Sequence, residues 1–308
     1  MNLPHNPKRL SFLFLGGAKR VAMAQMIQKA CLSAGYECRI VGYELDRRSA
    51  LASVGTIVTG LRWSDPSIFT DLDRVCQENE IDIILPFVDG AVGVAAEFAA
   101  IHSTTGVFAP VGQRAESERM FDKCAAAALF EQLSLPIPQT YCGDTSVEKL
   151  IAKPRFGSAS KGIIEINSYK EFVDLQLDSS RYLIQERIDN RCEITADCYV
   201  GVRDGFIAAI CPRIRVEASG GEAVRTITID DTDVITLVKK TLQATGLRGA
   251  VTIQLIRDID NGRLMIMEIN PRLGGGAVAS VHAGANLPGL IIDDALGMPL
   301  KQQKTNRQ

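Results

Sequence analysis

Between residues 10 and 112, short apolar runs alternate with stretches of helical spacing, and no other feature restricts the fold as strongly. Residues 10–15, 37–42, 56–59, 81–85 and 107–109 read as strands; residues 21–34, 65–78 and 91–101 read as the helices between them. Gly35 stops the first helix, and Asp65-Pro-Ser opens the second. Consecutive strands joined by a helix must run parallel, which implies an α/β sheet covered by helices on both faces. Ligands of such sheets sit beyond the carboxyl ends of the strands. That nominates the loops at 16–20 and 86–90, where Lys19, Arg20 and Asp89 are either ligand-facing or solvated loop charges. Gly16-Gly17-Ala18 lacks the GxGxxG spacing, so a dinucleotide is not supported there.

The pattern changes after Ala115. Residues 117–133 read as one alanine-rich helix, ended by Leu135-Pro-Ile-Pro138. Leu150-Ile-Ala-Lys-Pro154 then enters Arg155-Phe-Gly-Ser-Ala-Ser-Lys-Gly162, a glycine- and serine-rich turn with a strand at 163–166 after it. This is not a Walker A loop. Gly157 and Gly162 have the spacing, but Ile163 stands where lysine is required, and a strand follows instead of a helix. Such a turn can still cover phosphates with backbone N–H groups; the alternative is a plain surface hairpin. Residues 167–177 read as a helix, 182–188 as an edge-like strand, 193–203 and 206–215 as antiparallel strands, 232–245 as a helix stopped by Gly246, and 285–296 as the terminal helix. The chain therefore combines an α/β part with an α+β part, with boundaries expected at 1–112, 113–187 and 188–308.

Met265-Ile-Met-Glu-Ile-Asn-Pro-Arg-Leu-Gly-Gly-Gly276 carries the densest chemistry. In a strand, Glu268 and Asn270 share one face, Met267 and Ile269 take the other, and Arg272 lies just beyond. Carboxylate and amide oxygens beside a guanidinium suit Mg²⁺ with a phosphate; the alternative is a strand ending in a polar turn. The strand at 250–257 precedes it across a hairpin loop at 258–262. A three-residue tip centred on Asn261 sets Gln254 opposite Glu268, whereas a two-residue Asn261-Gly262 turn opposes Gln254 to Ile269 on the wrong face. The first is expected, because a glutamine inside an apolar strand needs a partner, and a metal shared with Glu268 and Asn270 supplies one.

A net charge of −2 with no basic run argues against nucleic acid as the main partner. The eight cysteines show no CxxC or paired metal spacing and read as small buried hydrophobes in a reducing cytosol. The apolar stretch at 10–15 is too short for a secretory leader, and nothing approaches the ~20 apolar residues of a membrane span. A cytoplasmic location is expected, and a homodimer is left open.

A parallel-sheet part, a small part with a glycine-rich hairpin, and an antiparallel part ending in Gln…Glu-x-Asn-Pro-Arg come in a familiar order. From Phe12 to about Pro299 the chain resembles the ATP-grasp superfamily, most closely the branch around the large subunit of carbamoyl-phosphate synthase. The resemblance implies an ATP-grasp fold with an N-terminal Rossmann-like domain. It implies that Lys123 and Lys153 contact the nucleotide phosphates, with Lys153 also near adenine. It makes residues 157–162, with Gly157, Ser158, Ser160 and Gly162, the phosphate-covering loop. Glu186, Arg187 and Ile188 would border adenine through the strand backbone, and Glu193 would take the ribose hydroxyls. Gln254, Glu268 and Asn270 would hold Mg²⁺ (or Mn²⁺), and Arg272 would face the transferred phosphoryl group. Carbamoyl-phosphate synthase large subunits contain two such halves and this chain one, so a freestanding ligase fits better.

The implied reaction is ATP-dependent activation of a small carboxylate or amino acid as an acyl phosphate, followed by attack of an amine or thiol. Its catalytic cations are Arg272, Lys123, Lys153 and Arg215. Arg213 and Arg215, two apart on one strand face, are candidates for a carboxylate or phosphate clamp, or for ion pairs with Glu217 or Glu222. Residues 274–277, with Ser280, His282 and Asn286, are candidates for the acceptor site. Two rival readings share the fold: a kinase acting on a hydroxyl, and an ATP-binding regulatory protein without turnover.

Overall fold

The computed structural model describes residues 8–102, 106–143, 146–158 and 161–303. Strands Lys8–Leu15 (β1), Tyr36–Glu44 (β2), Thr56–Thr59 (β3) and Ile83–Pro86 (β4) form a parallel sheet in the order β3-β2-β1-β4. Helices Val21–Ser33 (α1), Ile68–Asn79 (α2) and Asp89–Ile101 (α3) join or flank them. Alternation along β1 divides its side chains between two cores. Leu10, Phe12 and Phe14 pack with Met23 and Ile27 of α1, while Leu13 and Leu15 pack with Leu72, Val75 and Val92 of α2 and α3. Burial on both faces is why β1 reads as an unbroken apolar run. The strand expected at 107–109 is reduced to a bridge between Phe108 and Ile83.

The single helix expected at 117–133 is two helices, Arg114–Phe121 (α4) and Lys123–Gln132 (α5). Asp122 is the reason. It is extended (φ −92°, ψ 100°), and its carboxylate accepts the N–H groups of Cys124 and Ala125 while gripping Arg155 at 2.7–2.9 Å. An aspartate that caps a new helix cannot also continue the old one.

Strands Thr140–Tyr141 (β5), Leu150–Pro154 (β6), Ile164–Ile166 (β7) and, after helix Tyr169–Asp174 (α6), Tyr182–Glu186 (β8) make a small sheet in the order β5-β8-β6-β7. The strand expected at an edge is thus internal. Its polar Gln185 is 3% exposed, and its hydrogen bonds run to Lys153 and the Pro138 carbonyl instead of to water.

Arg191–Val200 (β9), Ile207–Ser219 (β10), Glu222–Thr228 (β11), Gly249–Asp258 (β12) and Leu264–Asn270 (β13) form an antiparallel sheet, order β11-β10-β9-β12-β13. Helix Thr232–Thr245 (α7) lies between β11 and β12 in the chain; its Val234, Val238 and Leu242 pack under Ile253, Leu255 and Ile269. Sequence reading left β11 out. Helices Ala277–His282 (α8) and Leu287–Ala295 (α9) close the chain against α1. Gly249 (φ +75°) lets the segment after the parallel sheet cross β12, since a Cβ there would lie 1.9 Å from the Pro110 carbonyl oxygen.

Gln254 does face Glu268, but by a different route from the one expected. Near the turn Arg257 pairs with Leu264 and Leu255 with Ile266, and the Asp258 N–H reaches the Arg263 carbonyl, so the tip holds four residues. A β-bulge between Leu255 and Gln254 then takes up Met267 and restores the Gln254–Glu268 pair. Among the described residues no helix is long and apolar enough to cross a membrane.

Candidate active site

The polar face of the antiparallel sheet is laid out in rows. One row runs Arg213 (β10), Thr195 (β9), Gln254 (β12), Glu268 (β13); the next runs Cys211, Asp197, Thr252, Asn270. Two residues along β12 from Gln254 and three along β13 from Glu268, Ile256 and Met265 join Ile188 and Met267 in an apolar cluster. The face thus grades from apolar, through a carboxylate and amides, to a buried ion pair.

A cavity of about 160 Å³ lies between this face and the small sheet. Lys153 on β6 enters it, 9% exposed, and donates to Gln185 Oε1 at 2.9 Å. Burial pulls its pKa down to about 8, with Glu268 opposing and Lys123 reinforcing the shift. Lys123, the first residue of α5, donates from Nζ to the Gly157 carbonyl at 2.6 Å, and its backbone N–H meets the Arg155 carbonyl. Gly157, Ser158 and Lys161 close that side, with Gly157 and Gly162 both at positive φ. Ser160 lies outside the described residues.

Ile188 contributes an apolar wall, but Glu186 and Arg187 send their charges elsewhere. Glu186 is held by Arg263 at 2.8–2.9 Å and by the Gln139 N–H. Burial pushes its carboxyl up, and these donors outweigh that and leave it below its ordinary value. Arg187 turns to Asp189 at 2.7 Å. Any role of Glu186 and Arg187 beside a base would therefore fall to their backbone. Glu193 pairs with Arg191 and Arg215, both at 3.2 Å.

Gln254 Nε2 and Asn270 Nδ2 both donate to Glu268 Oε1, each at 2.9 Å. Among the described residues no group of three or more His, Cys, Asp and Glu could hold a metal, so a metal here would rest on one carboxylate and two amides. Turning both amides end for end would bring their oxygens beside that carboxylate, in exchange for the long bonds that Arg215 and Arg272 donate to those oxygens at 3.3 and 3.4 Å. Three hard oxygen donors and room for waters and phosphate fit Mg²⁺.

A second cavity, about 290 Å³, opens beyond this seat toward the parallel sheet. Arg272 crosses to it and pairs with Asp89, the first residue of α3, at 2.6 Å, while also reaching Asn270 Oδ1 at 3.4 Å. Arg213, 2% exposed, donates through Nε to Asp197 Oδ2 at 2.8 Å, and Ser280 donates to the same oxygen at 2.7 Å. Its Nη1 is buried without a hydrogen-bond partner among the described residues, which ordinarily costs about 1–3 kcal/mol. Arg213 pairs with Asp197 and Arg215 with Glu193, and among the described residues neither pairs with Glu217; the Glu222 side chain lies outside the described residues.

The structure thus brings Lys123, Lys153, Gly157, Ser158, Ile188, Glu193, Arg215, Gln254 and Glu268 around one cavity, with Asn270 and Arg272 on the wall of the second. Sequence reading missed Asp197 altogether and gave Asp89 no partner. Neither had a local signal, because each answers to an arginine far along the chain. His282 is exposed at the end of α8, and Asn286 caps α9 by accepting the Gly289 N–H; of the expected acceptor residues, Gly274, Gly275 and Gly276 line the second cavity, with the Gly274 N–H donating to Thr252 Oγ1, and Ser280 reaches Asp197.

Residues 178–308 match the family described as ATP-grasp in the biosynthetic pathway with Ter operon. The whole chain resembles solved structures of the same architecture. N5-carboxyaminoimidazole synthetase from Staphylococcus aureus, complexed with ADP, superposes with a TM-score of 0.75 at 16% identity, over 99% of this chain and 82% of that one. Biotin carboxylase from Campylobacter jejuni, in a β-γ-ATP complex, gives 0.72 at 17% identity over 96% and 73%. An L-amino acid ligase from Bacillus licheniformis gives 0.72 at 16% identity over 96% and 75%.

Proposed function

We propose that this chain, whose residues 178–308 match an ATP-grasp family and which shares the fold of the solved structures above, is a cytoplasmic, ATP- and Mg²⁺-dependent ligase joining a small carboxylate to an amine, or to a thiol, through an acyl phosphate. One observation carries this reading. The two cavities share Ser158, Arg215, Gly221, Gln254 and Glu268, so the metal seat lies where they meet. ATP bound with its base against Ile188, Ile256 and Met267 directs its phosphates to that junction, and an acceptor in the second cavity faces them. We divide the chain for this purpose at residues 112 and 187, with the small middle part as the lid.

The acceptor carboxylate oxygen attacks the γ-phosphorus, and the bond from that phosphorus to the β–γ bridging oxygen breaks to release ADP. The amine nitrogen then attacks the acyl carbon, the C–O bond to phosphate breaks, and the amine proton passes to solvent. Lys123 and Lys153 bind and orient the phosphates, and Arg215 lies between donor and acceptor. Arg272, braced by Asp89, meets the charge that grows on the transferred group. Mg²⁺, held by Gln254, Glu268 and Asn270, would neutralise phosphate oxygens when bound. The chain's own share is orientation and electrostatics.

Incubation with MgATP, small carboxylates and hydroxylamine tests this: ADP release together with a hydroxamate is expected. ADP release without hydroxamate would identify a kinase. Absence of any Mg²⁺-dependent thermal stabilisation by ATP would leave a protein without this nucleotide site.

A further inference from the structure

Four buried side-chain polar atoms lack a hydrogen-bond partner among the described residues, and of the residues that carry them Arg213 alone, through its buried Nη1, lines either cavity. Its guanidinium is fixed from behind. Nε holds Asp197, Asp197 is held in turn by Ser280, and Gly276 packs so closely that a Cβ there would lie 2.6 Å from Arg213 Cζ. Because Asp197 balances the charge, Arg213 presents the cavity with a directed donor more than with a net field.

We propose that the acceptor is a small molecule with two acid groups, one activated at the cavity junction and the other docked on Arg213 Nη1; this rests on the ligase reading above. The separation of the two places is the reason for a second group. Arg213 springs from β10 and Glu268 and Asn270 from β13, with β9 and β12 between them. Three strand spacings make about 14 Å at the backbone. Asp197 on β9 keeps the guanidinium on its own side of that span. A carboxylate on Nη1 is therefore not the one beside Glu268 and Arg272. The apolar wall is confined to Phe87, Val88 and Ala223, which favours a short polar molecule over an extended hydrophobic one.

Hydroxamate formation with MgATP and hydroxylamine tests this with matched acids: succinate against butyrate, glutarate against valerate, and glutamate against norvaline. A diacid of the series should show a KM at least about tenfold below its monoacid partner, the size of one charge-assisted hydrogen bond. Arg213→Lys keeps the charge opposite Asp197 but loses the fork, and should raise the diacid KM at least about tenfold with the MgATP-induced Tm shift unchanged. Gly276→Ala, which displaces the guanidinium without altering charge, should raise it likewise. Equal KM values for diacid and monoacid, a preference that survives both variants, or no diacid hydroxamate from a protein that MgATP stabilises and a monoacid turns over, would each overturn the assignment and leave the ligase reading standing. Loss of MgATP stabilisation in the wild type, or ADP release with no hydroxamate from any acid, would overturn the ligase reading and this assignment with it.

Discussion

The lysines and the arginines around the two cavities hold their positive charge in opposite ways. In the first cavity, Lys123 and Lys153 hydrogen-bond uncharged oxygens, the Gly157 carbonyl and the Gln185 amide. Arg215, which both cavities share, and Arg213 and Arg272 of the second each lean on a carboxylate: Glu193, Asp197 and Asp89. A lysine with only neutral partners keeps its full charge for a polyanion, at the cost of a loosely fixed head. An arginine paired through one edge gives up net field and gains direction. The lysines are placed to attract; the arginines are placed to aim.

The seat between them should be the most sensitive point. Glu268→Gln removes the one carboxylate from Gln254 and Asn270, and carboxylate-stimulated ADP release should fall about 10³-fold while the fold is retained by circular dichroism. Residual activity within tenfold of wild type would remove that seat from the chemistry and dissolve the contrast.

Lys153→Met should weaken nucleotide binding by about 10- to 100-fold at pH 7, as loss of a charged hydrogen-bond donor implies. pH sharpens the point, because burial has brought this ammonium down to about 8 from 10.5. Between those values the unfolded chain carries a proton that the folded apoprotein has released, so the group's contribution to apoprotein stability rises with pH. Nucleotide binding needs the proton and should move the other way. The MgATP-induced Tm shift should therefore shrink above about pH 8 in the wild type, and its dependence on pH there should flatten in the variant. A wild-type shift that is level from pH 7 to 9.5 would show that Lys153 does not carry the charge assigned to it.

Asp89→Asn tests aim without removing a cation. It should lower kcat about tenfold through misdirection of Arg272, with nucleotide Kd unchanged by calorimetry. The smallest effect belongs to Arg263→Ala, which breaks the pair with Glu186 where the arginine side chain is 45% exposed. Urea unfolding should register a loss within about 1 kcal/mol. A larger loss there than at Asp89 would mean that the exposed pair, and not the braced arginine, joins the parts of the molecule.

Much of this was written locally. β1 is apolar on both faces, α7 runs over the residues its spacing and Gly246 demanded, and Glu268 and Asn270 share a face as strand alternation requires. The errors have a common physical source, which is that distant partners decide what a polar residue does. Asp122 looked like one more polar residue in a helix until Arg155 and the N–H groups of the next turn claimed it. Gln185 and Glu186 gave β8 the look of an edge because Lys153 and Arg263, their partners, lie 32 and 77 residues away. Arg213 stood out in the sequence, yet nothing near it announced Asp197. The hairpin is instructive in another way: the Gln254–Glu268 pair was reached with a wrong turn length, because the need to face Gln254 toward a partner outweighed the geometry of the tip.

That pair depends on Met267 standing outside the ladder. A strand has a two-stroke rhythm, and the bulge adds one beat to it, so that a thioether and a carboxylate adjacent in sequence both reach the same cleft. Everything before the extra beat keeps time with an apolar floor, and everything after it with a charged one. Pairing Met267 within a straight ladder, instead of bulging it out, would leave the composition of the site intact and set it out of phase, opposing Gln254 to Met267 and turning Glu268 toward α7 and its apolar neighbours. The seam between an apolar floor and a charged one is, in this chain, one residue wide.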